Sequence, residues 1–315
     1  MYKYFLTITV VFFATFAFVQ ALYNRPPLDF PKDTFLTIER GATLSDITED
    51  FEARRLVRSS WWLKAFVTLR GGSFGAAAGD YFFKDRASAL RIAERLVTGE
   101  YGLEETEVVI PEGLSNKETA AALAKNLPKF NAREFLTLAA KKEGYLFPDT
   151  YRFLTNASAA EVIEVMENNF NKKISEIDAL VQIFRKPLRD VVILASLVEK
   201  EARTPDTRRR IAGILWKRLR LGMPLQVDAV FPYIFDGKSY DLTDGDLQID
   251  SPYNTYRYKG LPPGAIANPG LDALRASVTP IDTPYLYYLS DKDGNMHYAK
   301  THDEHLVNRA RYLNL

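Results

Sequence analysis

Two glutamates, Glu199 and Glu201, close a helical stretch expected over Leu188 to Arg203, and their spacing sends the two carboxyls to different faces. Stepping back from Glu201 by threes and fours gives Val198, Leu197, Leu194 and Val191, so this carboxyl prolongs an apolar stripe; Glu199 shares a face with Ser196, Ala195 and Val192. A carboxyl at the end of a buried stripe is partly desolvated. Its charged form is disfavoured and its pKa rises, as a general acid working near neutrality requires. Glu201 is therefore the candidate acid. The same spacing also fits Glu201 closing a buried ion pair with an arginine of the following helix.

Residue types narrow the other chemistries. Cysteine is absent, which excludes disulfides, thiolate nucleophiles, Fe–S clusters and Cys-ligated zinc. The histidines, His297, His302 and His305, gather near the end with Asp303 and Glu304. Two imidazoles three apart can share a metal, but the pattern offers no convergent third ligand, so neither a metal nor another cofactor is expected. A hairpin through Asp293-Gly294 and a capped terminal helix account for the segment. Lys plus Arg number 41 and Asp plus Glu 40, a formal net charge of +1, which gives no field for gathering polyanions. Arg203, Arg208, Arg209, Arg210, Lys217, Arg218 and Arg220 crowd one stretch, yet Ile211, Ile214, Leu215 and Leu219 recur there at helical spacing. A helix with a solvated basic face is expected, and nucleic acid is not expected as a partner.

The elements that must position these groups are set by patterning. With 315 residues, 47% hydrophobic and 26% charged, the chain folds, into roughly two domains. Tyr4 to Leu22 carries no charge and is long enough to cross a bilayer once as a helix, with Lys3 favouring a cytoplasmic N-terminus. Residues 1–23 are therefore expected to form a membrane anchor; a signal peptide cleaved after Val19-Gln20-Ala21 is the competing reading. Pro26, Pro27 and Pro31 make 24–31 a stiff spacer. Thr34 to Ile38 reads as a strand, Gly41 as a turn and Thr43 as the N-cap of a helix to about Val57. At one constant offset the same pattern recurs: strand Val108 to Ile110, turn Gly113, and Ser115 with Glu118 as a capping box. Strand Asp80 to Phe83 and helix Ala87 to Leu96 complete a small α/β lobe over 32–142. Beyond a boundary near Lys142, helices at Ala159 to Phe170 and Lys172 to Phe184 open a mixed domain over 143–315, so the fold class is α+β.

Three later stretches, Leu221 to Asp228, Asp250 to Tyr256 and Gly260 to Gly270, are rich in Gly, Pro, amides and tyrosine. Restricted backbone, paired donors and acceptors, and rings with polar tips suit a hydroxyl-rich sugar chain. A long structural connection has the same composition.

Leu194-Ala195-Ser196-Leu197-Val198-Glu199-Lys200-Glu201, Arg218-Leu219 with Gly222-Met223-Pro224-Leu225-Gln226, Ser251-Pro252-Tyr253-Asn254-Thr255-Tyr256 and Gly260-Leu261-Pro262-Pro263-Gly264 together resemble the endolytic murein transglycosylase (MltG, YceG-like) family. The resemblance is close from Gly144 onward, and the anchor and first lobe fit that family's single membrane helix and LysM-like subdomain. Val227 and Lys217 stand where the family often has Thr and Asn. It implies lytic cleavage of peptidoglycan between N-acetylmuramic acid and N-acetylglucosamine, leaving 1,6-anhydromuramic ends and terminating or trimming new strands. It also implies a place in the bacterial inner membrane with the bulk of the chain periplasmic, peptidoglycan synthases as candidate partners, and Glu201 as catalytic residue. One carboxyl suffices when the sugar's own 6-hydroxyl is the nucleophile, whereas an ordinary glycosidase needs two. Gln226, Ser251, Asn254, Tyr256 and Asn268 are the expected groove residues, and Asp228 is the carboxylate to consider were a second one needed. A noncatalytic peptidoglycan-binding envelope protein is the alternative reading, and an envelope scaffold a third.

Overall fold

In the computed structural model of the chain, the described residues are 2–39, 41–71, 76–235 and 242–313, with only the backbone described at 2–8, 12 and 16. They form a mixed α+β protein with small two-stranded sheets, divided into two compact units: 1–105 with 154–156, and 106–153 with 157–315.

The first unit begins with helix α1 (Tyr2–Asn24). The expected anchor Tyr4 to Leu22 falls on it, partly outside the described side chains, and among the described residues no helix is long and apolar enough to cross a membrane. Strand β1 (Thr34–Ile38) pairs antiparallel with β2 (Gly79–Phe83), Leu36 opposite Tyr81. Helices α2 (Leu44–Ala53) and α3 (Ser60–Gly71) lie between them in sequence, and α4 (Ala89–Thr98) follows. Thr43 caps α2 reciprocally with Asp46 after a left-handed Gly41, as expected. The helix ends at Ala53, short of Val57, because Arg55 turns left-handed and the Leu56 amide donates back to the Phe51 carbonyl at 2.9 Å. That reversal buries Leu56 and Val57 beside Phe51, Leu63, Tyr81 and Ile92.

In the second unit β3 (Glu105–Val109) pairs with β4 (Thr150–Leu154). Helices α5 (Asn116–Asn126) and α6 (Ala132–Leu138) connect them, and α7 (Ala159–Ser175) comes next. Val108, Leu123, Phe135, Phe153, Val162 and Met166 share one core. Residues 106–142 therefore pack with β4 and α7, so the chain divides at 105/106 rather than near Lys142, and the two strand–glycine–helix repeats fall in different units. Expected helix breaks shift too: α7 runs on to Ser175, and a buried Ile177 precedes α8 (Asp178–Phe184).

Helix α9 (Leu188–Glu201) is central, with every residue from Val191 to Val198 buried. The capped α10 (Pro205–Arg220) and α12 (Leu271–Val278) pack on it, and the short α11 (Val230–Ile234) lies between them in sequence. Gly213 of α10 allows close approach of the chain, since a Cβ there would stand 2.0 Å from the Ile281 carbonyl oxygen. The hairpin β5 (Tyr287–Ser290) and β6 (Met296–Ala299) turns at a left-handed Gly294, and α13 (His302–Tyr312) is capped by Thr301, both as expected.

Candidate active site

Glu201 is the last residue of α9. It lines two cavities, one of about 540 Å³ shared with Arg218, Gln226, Asp228, Tyr256 and Tyr288. The other, of about 650 Å³, is shared with Gly113, Lys200, Arg203, Thr204 and Asp291. Ser290 and Met296 also line both, so the carboxyl stands where the two meet. Packing around Glu201 raises its pKa to about 7, and the negative charge of Asp228 adds to the effect, opposed by the Tyr288 hydroxyl and the Ala229 amide. The buried Tyr288 hydroxyl lies beside the carboxyl without a well-aligned hydrogen bond, and its own pKa is raised well above 10. At neutral pH both groups hold their protons to a large extent.

Glu199 has the other fate foreseen for a carboxylate on this helix. Its Oε1 accepts from Arg208 of α10 at 2.5 Å and its Oε2 from the Gly270 amide at 3.0 Å. The pair is buried, 5% exposed at Glu199 and 10% at Arg208. Burial raises the Glu199 pKa, but Arg208 and the Gly270 amide hold it back. Since both faces of α9 are buried, the ion pair and not the apolar stripe distinguishes the two glutamates.

The loop after α10 is built around Arg218, which is 4% exposed. Its guanidinium donates to the carbonyls of Leu286 at 2.7 Å and Leu225 at 2.6 Å, and to Gln226 Oε1 at 3.3 Å. Gln226 is left-handed, φ +53°, which is costly for a residue with a side chain. Its amide donates to the Thr255 carbonyl at 3.1 Å and that of Val227 to Thr255 Oγ1 at 2.9 Å, so the strain is held from both sides. Asp228 comes directly after, its Oδ1 accepting from the Tyr256 hydroxyl at 2.5 Å.

Of the expected groove residues, Gln226 and Tyr256 thus share the cavity with Glu201. Asn254 and Asn268 are 0% and 1% exposed, and their side-chain amides are spent inside the protein. Asn254 donates to the Leu247 and Ile249 carbonyls and accepts from the Tyr256 amide. Asn268 accepts from the Gly144 and Leu146 amides and donates to Leu114 and Asn116. They hold the loops' shape and have no side-chain donor or acceptor left for a ligand, and Ser251 caps its own turn through the Tyr253 amide. The basic face of α10 is corrected likewise, because Arg208 and Arg218 point inward. Sequence reasoning left Arg218, Tyr288, His302 and His305 out of the groove, and all of them line the Glu201 cavity. The one available signal was the spacing of His302, His305 and Arg309 on one face of α13. Among the described residues no group of three His, Asp or Glu is placed to hold a metal ion.

A protonated carboxyl between two polar cavities is an arrangement that can donate a proton to an oxygen in the middle of an extended chain. The chain belongs to the YceG-like family, matched over residues 36–311. It is 27% identical over 325 residues to an endolytic murein transglycosylase of Bacillus subtilis, covering 95% of this chain and 90% of that protein. An endolytic murein transglycosylase of Streptococcus pneumoniae is 33% identical over 178 residues, 55% of this chain and 32% of that protein. A crystal structure of a yceG-like protein from Listeria monocytogenes superposes with a TM-score of 0.59 at 26% identity, covering 87% of this chain and 98% of that one.

Proposed function

We propose that the protein is a lytic murein transglycosylase, an enzyme cleaving peptidoglycan glycan strands internally with Glu201 as acid and then base. The observation that carries the reading is the position of Glu201, proton-bearing near neutrality, where two cavities meet. An internal cut needs sugar residues bound on both sides of the scissile bond. Glu201 protonates the glycosidic oxygen between N-acetylmuramic acid and N-acetylglucosamine, and the muramic C1–O bond breaks. The C6 hydroxyl of the same muramic residue then attacks C1 while the Glu201 carboxylate takes its proton. The product is a 1,6-anhydro end, no water is consumed, and the carboxyl returns to its starting state. Asp228, its charge toward the same cavity, supports the oxocarbenium-like centre.

Mass spectrometry of digested strands tests this: 1,6-anhydromuramic ends are expected, made by the unmutated protein and not by Glu201→Gln. Reducing ends carrying one added water would make the enzyme a hydrolase, with Asp228 as the second carboxylate.

The first unit is proposed as the LysM-like lobe that holds glycan without doing chemistry, supported by its strand–helix–helix–strand order with β1 and β2 antiparallel. Residues 1–23 are proposed as the anchor, with the bulk of the chain outside the cytoplasm. The support is the uncharged run and the exposed Val10, Val11, Phe13 and Phe18 of α1. Protease added to spheroplasts should digest everything beyond α1; a fully protected chain would overturn that topology. Trimming of nascent strands beside peptidoglycan synthases is the proposed setting.

A further inference from the structure

The wall of the Glu201 cavity that faces α13 is cationic. His302, His305 and Arg309 stand at helical spacing on one face of α13 and line the cavity with Arg218. One ring organises three of them. The Arg218 guanidinium lies 4.8 Å from the Tyr287 centroid, His305 stacks on the ring at 5.3 Å, and His302 meets it edge-on at 5.8 Å. Arg309 belongs to the same group, for its charge adds to burial in disfavouring protonation of His305. Among the described residues neither Arg218 nor Arg309 pairs with a carboxylate within 4 Å: Arg218 spends its donors on neutral carbonyls and one amide oxygen. A buried cation with no counter-ion is costly to keep unless something anionic arrives.

While the lactyl carboxyl of each muramic acid is tied up in its amide link to the peptide, the sugar chain itself brings no charge to this wall. Resting on the function proposed above, the substrate's anionic groups are the carboxylates of the peptide that muramic acid carries on its lactyl group. We propose that the wall of Arg218, His302, His305 and Arg309 binds a carboxylate of the peptide that muramic acid carries, so that the enzyme favours strand positions whose peptides keep their carboxylates free. Arg218 and the Tyr287 ring set the floor of this subsite, and Arg309 and His302, both on the exposed side, supply donors to the carboxylate. At the other end of the same cavity the charge of Asp228, beside the proton-bearing Glu201, repels that carboxylate, which fixes the direction in which the strand lies.

The test uses the full chain and two strand preparations that share the same sugars and the same lactyl amide link: native peptides, and peptides whose carboxylates have been converted to amides. Binding is measured with the Glu201→Gln protein, cleavage with the unmutated one. Binding to native strands is expected to be about tenfold tighter than to the amidated ones. Adding Arg309→Ala or His302→Ala to the Glu201→Gln protein should collapse that ratio toward one. Equal binding to the two preparations would overturn the inference, as would a ratio that survives both substitutions. Failure of the unmutated protein to cleave any preparation would count against the proposed function, while the binding ratio would still decide the subsite.

Discussion

Glu201→Gln separates chemistry from stability, because the structure gives the two effects opposite signs. The Glu201 carboxyl has its pKa raised from the ordinary 4.5 to about 7. The folded state therefore holds a proton that the unfolded chain releases between those values, and stability falls as pH rises through that window. At about 1.4 kcal/mol for each tenfold change in proton affinity, ionising the folded carboxyl costs at most about 3 kcal/mol more than ionising the unfolded one. Contact with cavity water reduces this to about 1–2 kcal/mol. Glutamine mimics the protonated form, so the variant should match the parent near pH 4.5 and exceed it at pH 8 by about 2–8 °C in Tm. Over the same range its cleavage should be about 10⁴-fold slower, since one residue loses both its acid and its base role. Thermal denaturation at four or five pH values, beside release of 1,6-anhydro ends at 25 °C, measures both. A variant less stable at pH 8 than the parent, or a Tm gap independent of pH, would refute the account of a carboxyl desolvated by its surroundings. An active variant would refute the assignment of the acid.

Glu199→Gln leaves the buried Arg208 with only the half-exposed Glu112 at 3.8 Å and Asp272 at 4.0 Å as counter-charges and should cost about 1–3 kcal/mol in urea unfolding, with any loss of cleavage recovered under stabilising conditions. Asp228→Asn removes a negative charge that raises the Glu201 pKa, so the pH at which cleavage falls off on the alkaline side should move down; an unmoved pH profile would exclude that coupling. Gly213→Ala drives a methyl group against the Ile281 carbonyl and should cost about 1–3 kcal/mol by chemical denaturation, with the helix content of the folded protein unchanged.

The features readable in the sequence were mostly local. The capped starts at Thr43 and Ser115 and the hairpin at Asp293-Gly294 depend on contacts a few residues apart, and the structure has them where capping and turn chemistry put them; Thr34–Ile38 is also where propensity put it, although its partner strand is remote in sequence. The end of α2 carries no such signal, because a left-handed Arg55 does the work usually given to glycine. The division at 105/106 was hidden for a different reason: it depends on which apolar faces share a core, and Phe135 packing with Val162 is a long-range fact. The site shows the same split. An asparagine in a Pro- and Tyr-rich loop looks alike whether it turns outward to a sugar or inward to partners within the protein, and Asn254 and Asn268 turn inward. Tyr288 had no pattern to announce it, and Arg218, although part of the Arg218-Leu219 motif, reads in the sequence as one cation of a solvated face, since the Leu286 carbonyl and the Glu201 carboxyl beside these two side chains come from remote segments.

The two glutamates of α9 show how one helix end can hold carboxyls in contrasting states only two residues apart. The C-terminus of a helix carries partial negative charge and disfavours an anion placed there, so it acts against ionisation of both. For Glu199 that effect and its burial are opposed by the Arg208 guanidinium and by the amide of Gly270, the N-cap of α12, where the helix end is positive. For Glu201 the contributions align: burial, the helix end and Asp228 all favour the proton, and the Tyr288 hydroxyl, itself protonated, offers only weak relief. The difference comes from where the next elements cross. Helices α10 and α12 close over Glu199, while the Gln226–Asp228 loop and β5 leave Glu201 facing the two cavities. Two residues along one helix end thus separate a carboxylate that holds α10 and α12 together from a carboxylic acid kept ready to give its proton away.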